Sequence, residues 1–168
     1  MENSMAVIEQ VHDEFANIFG RRYDPWVEEF MTDDADVVFF LQGAHAVTAR
    51  YAIQHLRDQG VKVGLVRLRT IRPYPTDRVA EVLSKFKVVG VIETNLGLGS
   101  VSSGGVLYAE AAAALYESPQ RPLVLSFMAG MGGEAIVLKE FYWMTQKMTE
   151  AQKRGKIEKR THWVGFEE

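Results

Sequence analysis

Val61-Lys-Val-Gly-Leu-Val-Arg-Leu68 runs into Arg69-Thr-Ile-Arg-Pro-Tyr-Pro75, then into a stretch of helical spacing that ends at Lys85. Val88-Val-Gly-Val-Ile92 and the loop Glu93-Thr-Asn-Leu-Gly-Leu-Gly-Ser100 complete the segment. This is a strand, a tight connection, a helix, a second strand and a glycine-rich turn. Strands and helices alternating at this spacing predict βαβ units and a parallel sheet. The right-handed crossover rule places the connecting helix on one face of that sheet. Ligands and partners meet open sheets of this kind at the loops leaving the carboxyl ends of the strands. The loop after Ile92 is therefore the first candidate site.

The rest of the chain extends the same alternation. Val37-Val-Phe-Phe-Leu41 is a continuous apolar run, as in a strand buried on both faces. Gln42-Gly43-Ala44-His45 is its exit loop, and Val47, Tyr51, Ala52 and Leu56 form the apolar stripe of the next helix. In the opening segment Thr76 is a plausible helix cap, with Val79, Leu83 and Phe86 facing the core. Gly104-Gly105 leads into an alanine-rich helix over Val106–Glu117. Leu123-Val-Leu-Ser-Phe127 is a fourth strand, and Met128–Gly133 its exit. Glu134–Lys153 reads as the longest helix, with Val137, Leu138, Phe141, Met144, Thr145 and Met148 on one side.

Ahead of this core, residues 4–19 carry Ile8, Val11, Phe15, Ile18 and Phe19 at helical spacing, which predicts an amphipathic helix with one buried stripe stopped by Gly20. Trp26, Val27, Phe30 and Met31 make a second apolar patch. The division is thus a helical lead-in over 1–36, an α/β domain over 37–153, and a tail over 154–168 whose Trp163, Val164 and Phe166 predict docking. Four strands with four or five helices make a three-layer sandwich around a mostly parallel sheet.

Composition narrows the function. With no cysteine, the chain cannot form a disulfide, offer a thiolate nucleophile or hold a cysteine-ligated zinc or iron–sulfur centre. No apolar run approaches the roughly 18–20 residues of a membrane helix. The acidic Met1-Glu-Asn-Ser-Met start does not fit a signal peptide, so the expectation is a cytoplasmic protein. Residues 1–36 carry ten acids against Arg21 and Arg22, whereas residues 151–168 carry five bases against three acids. An acidic front and a mildly basic tail suit docking to another subunit or simply a solvated face; neither suits nucleic acid.

Candidate chemistry is sparse. The glycines at 97, 99, 104 and 105 miss the dinucleotide spacing, since position 102 is Ser, and a Walker lysine is missing. Amides at that helix start could hold an anion, or the glycines could serve only turning and close packing. Gly130-Met-Gly-Gly133 raises the same pair of readings. Glu93 is either a general acid or base, or an acceptor for loop amides. His45 sits on a strand exit, and the four histidines lack metal-ligand spacing. Arg69 and Arg72 suit carboxylate or phosphate pairing, internal or across an interface. From the residues alone this is a binding or assembly domain.

The ordered set of Val63–Leu68, Arg69-Thr-Ile-Arg-Pro-Tyr-Pro75, Val88–Ile92, Glu93 and the glycine-rich turn resembles the transketolase carboxyl-terminal domain of thiamine-diphosphate enzymes. It is most similar to the equivalent domain II in the alpha subunit of the 2-oxoacid:ferredoxin oxidoreductases, typified by pyruvate:ferredoxin oxidoreductase. Phe15-Ala-Asn-Ile-Phe-Gly-Arg-Arg22, Thr48, Asn95 within Glu93–Gly99 and Ala129-Gly-Met-Gly-Gly133 add to the resemblance, which covers roughly residues 8–136. It implies oxidative decarboxylation of a 2-oxoacid, acyl transfer to coenzyme A and electrons passed to ferredoxin. This chain carries no Gly-Asp-Gly…Asn-Asn motif, so thiamine diphosphate, magnesium and iron–sulfur clusters are expected on partner subunits or domains, in a hetero-oligomer. The resemblance assigns this chain no catalytic, cofactor-binding or metal residue; Gly43, His45, Asn95, Gly97 and Gly99 are candidates for lining a cleft shared with partners. Two other readings stand beside it: a free-standing binder of an anionic nucleotide or coenzyme A at the glycine-rich loops, and the matching domain of a transketolase or 2-oxoacid dehydrogenase.

Overall fold

A computed structural model describes residues 2–97, 99 and 104–166; residue 98 and residues 100–103 of the glycine-rich turn lie outside them. The predicted parallel strands are present: β2 at Val37–Gln42, β3 at Val63–Leu68, β4 at Val88–Glu93 and β5 at Leu123–Met128. Two more strands flank them. β1 (Val27–Phe30) pairs antiparallel with β3, and β6 (Thr161–Trp163) pairs parallel with β5, giving the order β1-β3-β2-β4-β5-β6. The lead-in and the tail thus each supply an edge strand, and the strand count rises from four to six. No helix of the described residues is long and apolar enough to cross a membrane.

The chain leaves β2 in one direction and later returns to its other side. The helix α2 (His45–Asp58) carries β2 to β3, and α3 (Thr76–Leu83) crosses back to β4. The helix α4 (Val106–Ala114) follows β4, and α5 (Leu138–Arg154) follows β5. Each face of the sheet has its own core. Phe39, Leu41, Ile53, Phe141, Met144 and Met148 fill the α2 and α5 side. Val38, Phe40, Val79, Leu83, Leu107 and Ala111 fill the α3 and α4 side. Consecutive residues of β2 alternate between these cores, so its run is apolar throughout. Phe39 meets Phe141 edge to face at 5.4 Å between ring centroids.

Several local expectations are corrected. The lead-in helix α1 (Glu2–Phe19) forms and stops at Gly20, whose N–H reaches the Ala16 carbonyl at 2.9 Å. Its apolar stripe, however, is not buried: Ile8 is half-buried against the core, but Val11, Ile18 and Phe19 face solvent. Periodicity aligned these side chains, and the described residues leave them uncovered. On α2 the buried set is Ala46, Ala49, Ala52, Ile53 and Leu56, while Val47 and Tyr51 point outward. Thr76 is the first helical residue of α3 and makes no side-chain cap; Pro75 holds the cap position. The helix α4 ends at Ala114, before Glu117. Gly130–Gly133 forms only a single 3-10 turn at Met131–Gly133, and α5 begins five residues later, where the Glu140 carboxylate accepts the Val137 N–H at 2.7 Å. At 17 residues α5 is shorter than the 18 residues of α1.

Edge strand β1 is held by charge. Glu28 lies among Arg50, Arg67 at 3.6 Å and Arg69 at 2.8 Å, and it is the shared carboxylate of all three. Two acids in a four-residue strand obscure it in the sequence, and acids of this kind are how edges resist further pairing. In the tail, Val164 is buried and donates its N–H to the Met128 carbonyl at 2.9 Å, whereas Phe166 remains exposed. Docking on the parent domain is therefore realised for Val164 and not for Phe166.

Two outcomes are expected from this packing. A Cβ at Gly90 would stand 2.5 Å from Met148 Sδ and 2.9 Å from the Phe127 ring, so α5 rests directly on the bare backbone of β4. Gly90→Val should cost about 1–3 kcal/mol in urea denaturation, the range for overpacking a tight core. His162 is buried, and burial first, then Lys159, holds its imidazole pKa below the usual value. The unfolded chain then binds the proton more readily than the native one, so stability is full above about pH 6.5 and declines as pH falls toward the native pKa. His162→Gln should flatten the part of the stability–pH profile just below about pH 6.5.

Candidate functional site

The sheet order reverses between β2 and β4. One connection leaves β2 for β3, and the other leaves β4 for β5, so the two exit loops diverge to opposite faces. A crevice at such a switch point is the usual ligand position in open α/β sheets. All five cleft-lining candidates lie on these two exits: Gly43 and His45 after β2, and Asn95, Gly97 and Gly99 after β4. Topology alone brings them to one edge, fifty residues apart in sequence.

Their local chemistry differs from an open anion site. Glu93 is the last residue of β4 and is buried. Its carboxylate accepts the N–H of Gly105 at 2.9 Å, of Leu107 at 2.9 Å and of Tyr108 at 3.1 Å. Asn95 Oδ1 accepts the remaining N–H, that of Val106, at 3.1 Å. The amides that open α4 are thus taken by the protein's own acceptors, which also place negative charge at the positive end of the helix dipole. Of the two readings of Glu93, acceptor of loop amides is the one realised.

The glycines here serve close approach. A Cβ on Gly105 would lie 2.2 Å from the Asn95 carbonyl oxygen and 2.4 Å from Glu93 Oε2. Gly104 combines a φ of +70° with Ser126 Oγ at 2.4 Å from any added Cβ. Gly97 donates its N–H to the Gly104 carbonyl at 3.2 Å, closing the base of the loop. Gly43 is exposed with a φ of +80°, and His45 is the half-buried first residue of α2. The β5 exit joins the same edge: the Ala129 N–H donates to the Glu93 carbonyl oxygen at 3.0 Å.

The arginines of the β3 exit are paired within the chain. Arg69 reaches Glu28, and Arg72 reaches Glu110 on α4 at 2.6 Å. Beside them the Tyr74 hydroxyl is buried with no hydrogen-bond partner, and its pKa is raised, first by burial and then by Glu110. Sequence reasoning passed over Glu28; the signal was Arg67 in β3 and Arg69 just past its end, alternate residues that need a carboxylate on the neighbouring strand. Among the described residues no three His, Asp or Glu side chains gather as a metal shell. With the α4 amides occupied and no cysteine in the chain, the described residues of this edge do not fit a diphosphate, a cluster or a resident magnesium.

The three-layer α/β fold, with its six-stranded and mostly parallel sheet, is transketolase-like. It is similar to a solved split-gene transketolase in an inactive beta4 tetramer, at 18% identity and a TM-score of 0.57 over 79% of this chain and 44% of that one. It is also similar to the 2-oxoglutarate:ferredoxin oxidoreductase of Magnetococcus marinus, at 16% identity and a TM-score of 0.54 over 89% of this chain and 23% of that one. More specifically, the model of "Pyruvate:ferredoxin oxidoreductase core domain II" matches residues 35–141, and the chain belongs to that family. Among curated relatives, Pyruvate synthase subunit PorA of Pyrococcus abyssi is 35% identical over 99% of this chain and 41% of its own length. Ketoisovalerate oxidoreductase subunit VorA of the same organism is 32% identical over 96% of this chain and 40% of its own length. The chain therefore spans about two fifths of the relatives it matches.

The Glu93 arrangement is directly testable. Glu93→Ala leaves three buried amides without an acceptor and should cost about 2–4 kcal/mol in chemical denaturation. Glu93→Gln keeps an oxygen for part of the set and should lose clearly less.

Proposed function

We propose that this chain is domain II of a thiamine-diphosphate-dependent 2-oxoacid:ferredoxin oxidoreductase, acting as an assembly element and as one wall of the active-site region. The complex would decarboxylate a 2-oxoacid oxidatively, pass the acyl group to coenzyme A and deliver electrons to ferredoxin. Thiamine diphosphate, magnesium and iron–sulfur clusters would reside on other subunits or domains, and the hetero-oligomer would work in the cytoplasm. The observation that carries this reading is the family match, together with likeness along nearly the whole chain to subunits of pyruvate and ketoisovalerate oxidoreductases.

The surface supports an assembly role. Val7, Val11, Ile18 and Phe19 on α1 and Val47 and Tyr51 on α2 are more than half exposed. Large apolar side chains left in water on two helices suit contact with further protein. Gly43, His45, Asn95, Gly97 and Gly99 would then face the shared cleft through backbone and loop shape, contributing walls and no reacting group. The division into lead-in (1–36), core (37–153) and tail (154–168) is kept as a division of labour, the outer two segments meeting partners while also giving the sheet its edge strands. A free-standing anion binder at the glycine-rich loop is disfavoured, because Glu93 and Asn95 already occupy the amides it would use.

A tagged copy recovered from its native cells should co-purify with a thiamine-binding subunit and a brown, cluster-bearing one, and the complex should reduce a dye in a 2-oxoacid-dependent way. The isolated chain should be inactive. Recovery as a clean monomer or homodimer without partners would refute the subunit reading.

A further inference from the structure

A hollow of ≈ 660 Å³ opens at the β6 edge of the sheet, away from the switch point, between α5, β6 and the tail. Its size lies within the roughly 300–1,000 Å³ of small-molecule sites. Apart from Leu125 its lining lies beyond residue 141, where the family match ends, so a site in this hollow stands independently of the proposed function.

The wall is built from charge and rings. Gly155, at a φ of +67°, reverses the chain after α5 and brings the basic segment back across the helix end. Two of the cations there are already engaged: Arg154 pairs with Glu158, and Lys147 lies 3.7 Å from Glu150 while covering the Trp143 ring. Lys156 and Lys159 are exposed and have no carboxylate within ion-pair range among the described residues. The buried His162 ring is stacked on Phe127 at 5.5 Å and met edge-on by Trp143 at 5.6 Å, which makes a fixed floor. Trp163 is half-buried, Phe166 is 64% exposed, and neither ring enters an aromatic pair among the described residues.

Two uncompensated ammoniums beside two uncommitted ring faces ask for one ligand with both complements. A bare anion would leave the rings idle, and a purely apolar molecule would leave the lysines idle. Stacking of a base on an aromatic side chain and charge-assisted bonds from lysine to phosphate together satisfy the wall. We propose that this hollow binds a nucleoside di- or triphosphate, its phosphates on Lys156 and Lys159 and its base against Trp163 and Phe166.

Calorimetry on the full chain with ADP, adenosine and pyrophosphate tests this. ADP should bind saturably and more tightly than either fragment. Lys156→Glu combined with Lys159→Glu should weaken ADP about tenfold or more without altering the circular dichroism or the melting temperature, since both side chains are exposed. Phe166→Ala, also at an exposed side chain, should weaken ADP while leaving pyrophosphate unchanged. His162 reports position: burial first, then Lys159, holds its imidazole pKa down, with Lys147 and Glu150 also acting on it, and a phosphate bound nearby should raise it in an NMR titration. Absence of saturable ADP binding at millimolar concentration would overturn the proposal. Pyrophosphate binding as tightly as ADP, undiminished binding in the lysine double variant, or an unmoved His162 titration with ADP bound would each do the same.

Discussion

The Glu93 carboxylate is the constraint around which the carboxyl edge of the sheet is built. It ends the central strand β4 and holds the amides of Gly105 and of two α4 residues, Leu107 and Tyr108, while its own carbonyl oxygen holds the first residue after β5. One residue thereby ties two strand exits and a helix start into a single unit. The ion is tolerated in a buried position because three N–H donors and a helix dipole replace its water. Both glycines before α4 follow from the same arrangement: a side chain on Gly105 would occupy the place of the carboxylate, and one on Gly104 would strike Ser126. Gly105 thus leaves room for an internal carboxylate where a phosphate loop would leave room for a ligand.

How much of this was legible depended on whether the deciding partner lay within a few residues. The four parallel strands were readable because burial on both faces forces a continuous apolar run, as in Val37–Leu41 and Val88–Ile92. Strands β1 and β6 were not, since Val27-Glu-Glu-Phe30 and Thr161-His-Trp163 hold no such pattern and owe their identity to a neighbouring strand. The stripe on α1 was readable as periodicity, yet periodicity cannot say whether the same chain covers it. The two roles open to Glu93 were both visible, but its donors stand 12 to 15 residues away across a loop, so geometry alone could choose between them. His45 and Gly43 were placed correctly on the β2 exit; nothing in their surroundings assigns either a chemical task.

A closed strand edge and open apolar helix faces belong to the same design. The start of α4 is satisfied by the domain's own acceptors, which fixes where that helix leaves the sheet. As the wall of the proposed shared cleft, such a fixed helix start would matter because a displaced wall misplaces whatever it confines. The uncovered side chains of α1 and α2 supply the complementary property, apolar area whose burial would favour association.

The charge distribution gives that association a direction. The acidic lead-in feeds β1, at one end of the strand order, and the basic tail feeds β6, at the other. The sheet therefore separates the two by its full width, rather than letting them neutralise each other. In the proposed assembly, opposite charge at opposite edges would orient an approaching partner before contact and penalise the reversed docking, an effect on encounter rate and register more than on final affinity. Within the acidic end, the one carboxylate drawn inward is Glu28, and three arginines meet it there. Other acids of the lead-in are paired as well, Asp24 and Glu29 with Arg78 and Asp34 with Arg57, so this edge is fastened to α2 and α3 by ion pairs beyond the Glu28 cluster.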